Sequence, residues 1–168
     1  MKRIIVILTI AILAISCLAG CNQKDEAANN SIVLEDNGDG TMTCLDTENS
    51  PLEGGLSITV DKNEAFVNFQ ITDKDGNETA EYYKFTPSDS TCHRYRYVSA
   101  MEKGYNYFFN YTDSKILKIE DIENNDITEK TKEAGRFDGA ESETKEHVNS
   151  LMSYFSDSFS MTIDEAIK

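Results

Sequence analysis

The sequence predicts a mainly β fold: an antiparallel meander of about six to eight strands, forming a small barrel or a sandwich, with a C-terminal amphipathic helix. Three observations favour this fold. Apolar and polar residues alternate over short runs between residues 31 and 122. Turns rich in Gly, Asn and Asp separate these runs at intervals of roughly 10 to 12 residues. Helical spacing of apolar residues begins only near residue 141.

The strands are predicted from alternation on either side of such turns. Met42 and Cys44 alternate with threonines after the turn at residues 36–40, which favours a hairpin with the segment before it. Residues 65–72 show the cleanest alternation and indicate a half-buried strand. Further strands are predicted over residues 56–60, 82–85, 92–98, 105–111 and 116–119.

The C-terminal part, residues 123–168, has a different composition. Residues 123–138 are charged and poor in large apolar side chains, so we expect a surface excursion or a frayed helix. A helix is predicted over residues 141–158 and should pack on the sheet. Its apolar stripe follows helical steps and consists of Val148, Leu151, Met152, Phe155 and Phe159.

Two pairs of residues have the spacing of a helix-capping box. Asp138 stands three residues before Glu141, at the predicted start of the long helix. Thr162 stands three residues before Glu165 and predicts one last short helical turn.

The N-terminal segment has the character of an export signal. Lys2 and Arg3 form a basic start, and residues 4–18 are a nearly continuous apolar run. This run is shorter than the roughly 20 apolar residues of a membrane-spanning helix. It ends in Leu18-Ala19-Gly20-Cys21. This sequence resembles the lipobox of bacterial lipoproteins.

The resemblance implies a processed and lipidated chain. In that family the cysteine, here Cys21, takes a diacylglyceryl group. The signal helix, here residues 1–20, is then cleaved off, and the new amino terminus is usually acylated. Residues 22–30 are polar and would form a flexible tether of about 30 Å when stretched. The expected location is the cell envelope, lipid-anchored to the membrane and facing outside the cytoplasm. An uncleaved anchor and an ordinary secretory signal are the alternatives.

The charge of the chain excludes some classes of partner. Without residues 1–20 the chain has 14 basic and 30 acidic residues, a formal charge of −16. Nucleic acid and anionic headgroups are bound through Lys and Arg, so we expect neither as a partner. Contact with the bilayer is expected through the lipid alone. A cationic protein partner is compatible with this charge.

The cysteines predict a disulfide. Cys17 lies in the signal and Cys21 carries the lipid, which leaves Cys44 and Cys92 in the exported domain. Outside the cytosol such a pair is a candidate for a bridge, which would contribute about 4 kcal/mol by closing a loop of about 50 residues. Two unpaired buried thiols are the alternative. A metal site with His93 is disfavoured because Cys92 and His93 are adjacent and point to opposite faces of a strand.

Aromatic residues are concentrated on three predicted strands. Ten lie within 30 residues: Tyr82, Tyr83, Phe85, Tyr95, Tyr97, Tyr105, Tyr107, Phe108, Phe109 and Tyr111. They form either a groove or barrel mouth that binds a ligand, or cross-strand pairs and core. Arg94 and Arg96 form a basic island that binds a carboxylate, stacks on aromatic rings or pairs with Glu81. The candidate ligand-binding residues are therefore Tyr95, Tyr97, Tyr105, Tyr107, Arg94 and Arg96.

Calcium binding and catalysis find little support. Residues 35–46 partly match an EF-hand loop, but the first position is Glu35 and the last is Asp46, and the flanking segments are strands, so a hairpin turn is favoured. His93 and His147 are the only histidines, and no nucleophile elbow or phosphate-binding glycine loop is present. We predict no enzyme activity, no cofactor and no metal.

These observations favour a lipid-anchored extracytoplasmic binding or interaction module for a protein or a small molecule. One alternative is a small lipocalin-like barrel that carries an apolar ligand. The other is an envelope hydrolase, which would need a cleft that places His93 beside a carboxylate or a free Cys92.

Overall fold

The computed structural model describes residues 32–168. The predicted signal, the lipidation site at Cys21 and the tether fall on residues 1–31, outside the described residues. Those three interpretations therefore stay predictions.

The described residues form eight strands followed by three helices. The strands are β1 (Glu35–Asp36), β2 (Thr41–Asp46), β3 (Gly55–Asp61), β4 (Phe66–Thr72), β5 (Glu78–Thr86), β6 (Thr91–Val98), β7 (Lys103–Asn110) and β8 (Lys115–Asp121). Single 3₁₀ turns at Pro87–Asp89 and Ser99–Met101 join β5 to β6 and β6 to β7. The helices are α1 (Thr128–Glu133), α2 (Phe137–Phe159) and α3 (Ile163–Ala166). The prediction of a mainly β chain with a C-terminal helix is confirmed.

The strands form one antiparallel sheet in sequence order, from β1 to β8. Each strand pairs with its neighbours in the chain, and within residues 32–168 no ladder joins β8 to β1. The sheet is therefore open, which corrects the expected closure into a barrel or a sandwich. Closure is unnecessary because α2 buries one face of the sheet.

The outer edge of β8 is covered by the chain that follows it. The backbone N–H of Ile127 donates to the carbonyl of Ile119 at 2.8 Å, and the N–H of Ile119 donates to Thr128 Oγ1 at 2.9 Å. The N–H of Ile116 donates to Glu141 Oε2 at 2.9 Å. An exposed strand edge presents unpaired backbone groups to other chains. Here Ile127, just before α1, and the helices α1 and α2 supply the missing partners for three of them.

One face of the sheet forms the core. A cross-strand row on this face runs through seven strands, with neighbours in register: Cys44, Ile58, Phe69, Tyr83, Arg94, Tyr107 and Ile119. Helix α2 packs on this face through Val148, Leu151 and Phe155, which are fully buried. Burying each such side chain contributes about 1.5–3 kcal/mol. Arg94 is the one charged member of an otherwise apolar or aromatic row.

Helix α2 begins at Phe137, four residues before the predicted start. Phe137 and Ala140 pack against the core, so the apolar stripe continues toward the N-terminus with helical spacing. The predicted capping box at Asp138 is wrong, because Asp138 lies inside the first turn and Glu141 bonds to the edge of β8 instead. Helix α1 lies in the stretch where a surface excursion or frayed helix was expected.

The capping box before α3 is confirmed. The N–H of Glu165 donates to Thr162 Oγ1 at 3.2 Å, and the N–H of Thr162 donates to Glu165 Oε2 at 2.8 Å. This short helix buries Ile163 and Ala166 against the core.

Cys44 and Cys92 are buried and free, so the predicted disulfide is not formed in this structure. Cys44 lies on β2 and Cys92 on β6, with three strands between them. Neighbouring strands are about 4.8 Å apart, whereas a disulfide needs Cα atoms within about 7 Å. The two thiols instead fill positions in the apolar core, as the alternative interpretation expected.

Residues 31–168 form a compact unit. All the described strand pairings and the described core belong to it. A unit with its own core contains the contacts that folding requires. None of the helices within residues 32–168 combines the length and apolarity needed to cross a bilayer.

Candidate functional site

The structure divides the predicted ligand-binding set between the two faces of the sheet. Arg94 and Arg96 lie on the face covered by α2, where their neighbours in register on β7 are Tyr107 and Tyr105. Tyr95 and Tyr97, at the alternate positions of β6, lie on the opposite, uncovered face. On β7 their cross-strand partners are Asn106 and Gly104, and on β5 Tyr95 pairs with Tyr82. Side chains alternate between faces with a period of two, so these residues cannot line one site.

On the uncovered face the aromatic side chains stack on each other. The rings of Tyr95 and Tyr82 are stacked with centroids 5.6 Å apart, and those of His93 and Phe108 with centroids 4.7 Å apart. Tyr97 is 40% exposed. Most of these aromatic residues therefore act as cross-strand packing, which is the structural alternative that the sequence left open.

Arg94 lies in the interface between the sheet and α2, with only 1% of the residue exposed. Its Nη2 donates to Glu81 Oε1 and to Glu143 Oε1, both at 2.9 Å, and its Nη1 donates to Thr144 Oγ1 at 3.2 Å. The predicted pairing with Glu81 is therefore present. Glu143 and Thr144 belong to α2, so this guanidinium bonds strand and helix together.

The guanidinium of Arg94 also lies between two tyrosine rings. The Cζ atom of Arg94 is 5.4 Å from the ring centroids of Tyr83 and of Tyr107, the two neighbours of Arg94 in register. Burial acts to lower the pKa of Arg94, but Tyr83 and the carboxylates of Glu143 and Glu81 raise it above its ordinary value. Arg94 therefore stays protonated, and its charge is balanced inside the interface.

A second polar contact joins Tyr83 to α2. Its hydroxyl donates to Glu81 Oε1 at 2.7 Å and lies 2.6 Å from His147 Nδ1. Because the single hydroxyl proton goes to Glu81, the proton of the second bond must belong to His147 Nδ1. Burial and the charge of Arg94 lower the pKa of His147, so the neutral imidazole is favoured. Burial raises the pKa of the Tyr83 phenol.

An open cavity of about 620 Å³ lies where α1 and the first turn of α2 meet the ends of β6, β7 and β8; we call it the basin. Its apolar lining includes Tyr107, Ile119, Ile127 and Ala140. Its charged lining consists of Arg96, Lys103, Lys130 and Arg136 with Glu102, Asp121 and Glu123. Tyr105 and Met101 complete the side formed by β7 and the turn before it.

A smaller cavity of about 360 Å³ lies beside the basin and exposes part of the polar network around Arg94. Arg96 lines both cavities. Its Nη1 donates to Glu143 Oε1 at 2.8 Å, the same oxygen that accepts from Arg94. The buried arginine thus fixes Glu143, and Glu143 positions Arg96 at the edge of the basin.

The sequence predicted three residues of the basin, Arg96, Tyr105 and Tyr107, and did not indicate most of the others. Lys130 and Arg136 lie in the charged stretch that was expected to be a surface excursion. Three cations at positions 96, 130 and 136 come from separate segments, and no local spacing links them.

The arrangement that a thiol enzyme would need is not formed. Cys92 is buried on the covered face, and His93 is on the other face, where its Nε2 lies 2.9 Å from Asn106 Oδ1. Burial raises the pKa of the Cys92 thiol, which disfavours the thiolate. Within residues 32–168 no group of three or more His, Cys, Asp or Glu side chains could hold a metal ion.

Comparisons with known proteins give no family for this chain. No protein-family model matches it, and neither a curated protein nor a solved structure does. The function is therefore inferred from the site itself.

Replacing Arg94 tests whether its network holds α2 on the sheet. Arg94→Met should lower the free energy of unfolding by about 3 kcal/mol, because Glu81 and Glu143 lose their buried partner but keep partial contact with water. Arg96→Met is the matched control; it removes one ion pair between half-exposed groups and should cost less than about 1 kcal/mol. Urea unfolding of both variants measures this, and equal losses would contradict the assigned role.

His147 should make the protein less stable in mild acid. Its folded pKa lies below the ordinary 6.5, so the unfolded chain takes up the proton first, and stability falls as the pH drops below about 6.5. Asp46 and Glu143 also have lowered pKa values, but their contributions are lost only below about pH 4.5. Thermal unfolding between pH 7.5 and 5.5 should show a smaller loss for His147→Asn than for the wild type. Parallel curves would show that another group is responsible.

Proposed function

We propose that the chain is a lipid-anchored extracytoplasmic binding protein whose ligand site is the basin. The observation that supports this proposal is a half-apolar cavity lined by four basic side chains in a strongly acidic chain. Binding sites are typically concave, largely apolar and equipped with a few convergent polar groups. The volume of about 620 Å³ is within the range of small-molecule sites.

The basin has the preformed geometry that such a site needs. Its floor is held by the sheet, since Ile119 is 1% exposed and belongs to the core cluster. One wall is α1, which is fixed because the N–H of Ile127 donates to Ile119 on β8 and Thr128 Oγ1 accepts from the same residue. The other wall is the start of α2, where Ala140 leaves space for a ligand. Rigid walls reduce the entropy that binding would otherwise cost.

The proposed location depends on the N-terminal motif. Two or three acyl chains at Cys21 would hold the protein firmly on a membrane, whereas one chain binds only marginally. The nine residues after Cys21, seven of them polar, would then let the folded unit lie some distance from the bilayer. The domain would meet its ligand outside the cytoplasm.

A protein-docking module is the second candidate. It is favoured by Tyr97, which is 40% exposed on the uncovered face beside the stacked Tyr95 and Tyr82. Tyrosine is enriched at protein interfaces because its ring is rigid and its hydroxyl is polar.

The lipocalin-like alternative required a closed barrel, and on an open sheet the basin takes the place of a barrel interior.

The anchor is tested by intact-mass measurement of the full-length protein from a bacterial membrane fraction. The mature chain should begin at Cys21 and carry diacylglyceryl and acyl groups. The variant Cys21→Ser cannot accept the lipid. Its mass in the membrane fraction should therefore lack the added lipid groups. A wild-type chain that begins at Met1 and carries no lipid would contradict the proposed location.

The basin is tested with the uncharged fluorescent dye Nile red and residues 22–168, which contain the whole described unit. The dye should bind the wild type, and Ala140→Trp should weaken binding about tenfold by filling the basin. Gly139→Trp is the matched control, because a side chain at this neighbouring position meets nothing within 4 Å.

Met101→Trp at the rim of the basin provides a second variant, should Ala140→Trp fold poorly. Circular dichroism and thermal unfolding would check the fold of each variant. If wild type and both basin variants bind the dye equally, the dye site is elsewhere, and the basin is not the binding site.

A further inference from the structure

The geometry points to an anionic amphiphile as the ligand of the basin: a carboxylate head on a short apolar body. This inference rests on the proposed function and adds the chemical class of the ligand. It follows from the charge, the pairing state and the apolar surface of the residues that line the cavity.

The charge of the lining is opposite to that of the chain. The lining contains four of the 16 lysine and arginine residues but only three of the 30 acidic residues. In an acidic protein an anion is repelled from most of the surface and finds a favourable potential mainly where cations converge. The basin is such a place, and it would disfavour a cationic ligand.

Two of the three acidic side chains are already engaged in the turn after β8. Asp121 Oδ1 accepts from the N–H groups of Glu123 and Asn125, both at 2.9 Å. Glu123 Oε2 accepts from Asn125 Nδ2 at 3.2 Å. The bonds from Asn125 lower the pKa of Asp121, which therefore stays ionised. These carboxylates hold the turn that forms one rim of the basin.

Three of the four cations of the basin have no ion-pair partner among the described residues, and the fourth, Arg96, uses only its Nη1. Arg96 is held by Glu143, and within residues 32–168 Lys103, Lys130 and Arg136 make no ion pair. A guanidinium presents paired N–H donors that match the two oxygens of a carboxylate. Arg96 and Arg136 therefore supply the planar recognition, and the two lysines supply charge at the rim.

The basin also offers apolar surface that a simple anion would leave uncovered. Met101 is 50% exposed and Ile122 is 54% exposed, and both belong to the lining of the cavity, Ile122 at the rim beside Gly104. Exposed large apolar side chains at the rim of a concave site are a common feature of ligand sites. A short alkyl or aryl body on the anion would cover them.

The test compares four probes on isotopically labelled residues 22–168 by nuclear magnetic resonance titration. Octanoate has both the anionic head and the apolar body, octanol and octyltrimethylammonium keep the body, and acetate keeps the head. All four are used below their aggregation concentrations. We expect octanoate to shift the amide signals of Gly104, Ile122, Thr131 and Ala140 and to bind about tenfold tighter than the other three.

Variants identify the residues that recognise the head. Arg136→Gln and Arg96→Gln should each weaken octanoate binding several-fold and leave octanol binding unchanged. Lys145→Gln is the matched control, because Lys145 is exposed on α2 and does not line the basin. Higher salt should weaken the binding of octanoate but not that of octanol.

The outcomes separate the ligand class from the site. If octanol or octyltrimethylammonium shifts the basin signals with equal or higher affinity, the anionic class is wrong and the basin remains the site. If acetate binds as tightly as octanoate, the ligand is a simple anion and not an amphiphile. If none of the four shifts basin signals, or if octanoate shifts only signals near Tyr95 and Tyr97, both this inference and the proposed site are wrong.

Discussion

The buried guanidinium of Arg94 is the contact on which the rest of this structure depends. Apolar contacts between α2 and the sheet, through Val148, Leu151 and Phe155, supply most of the stabilisation but little direction. Ionic groups in an interior rarely add net stability, yet their hydrogen bonds restrict the geometry. Arg94 bonds to Glu143 and Thr144 at fixed positions on α2. A shift of the helix along the sheet would leave these groups buried without partners, so we infer that Arg94 fixes the register of the helix.

The basin is a consequence of how the open sheet ends. Because β8 is an edge strand, its backbone groups need partners, and these come from Ile127, Thr128 and Glu141. This arrangement places α1 beside β8 and the first turn of α2 above it, and the space between them is the basin. Glu143 then links the fixed helix to Arg96 at the border of the cavity. The same contacts that close the sheet edge thus position the cationic lining.

The sequence predicted the elements of the candidate site better than their grouping. Alternation along β6 placed Arg94 and Arg96 on one face and Tyr95 and Tyr97 on the other, but which face α2 would cover could not be read from that strand. The concentration of aromatic residues suggested one shared surface, and the structure divides it because consecutive residues of a strand point in opposite directions. The cations at positions 130 and 136 were missed because their proximity to Arg96 arises from the chain path after β8.

The sequence by itself determined the local structure: the short strands, the hairpin turn at residues 36–40, the long amphipathic helix and the cap at Thr162 and Glu165. Each depends on contacts between residues close in the chain, and residue type and spacing encode such contacts directly. Only the tertiary structure decided that the sheet stays open, that Cys44 and Cys92 remain three strands apart, and that the buried ion pairs lie beneath α2. These features depend on which distant segments meet, and that is set by the packing of the whole chain rather than by any one stretch of it.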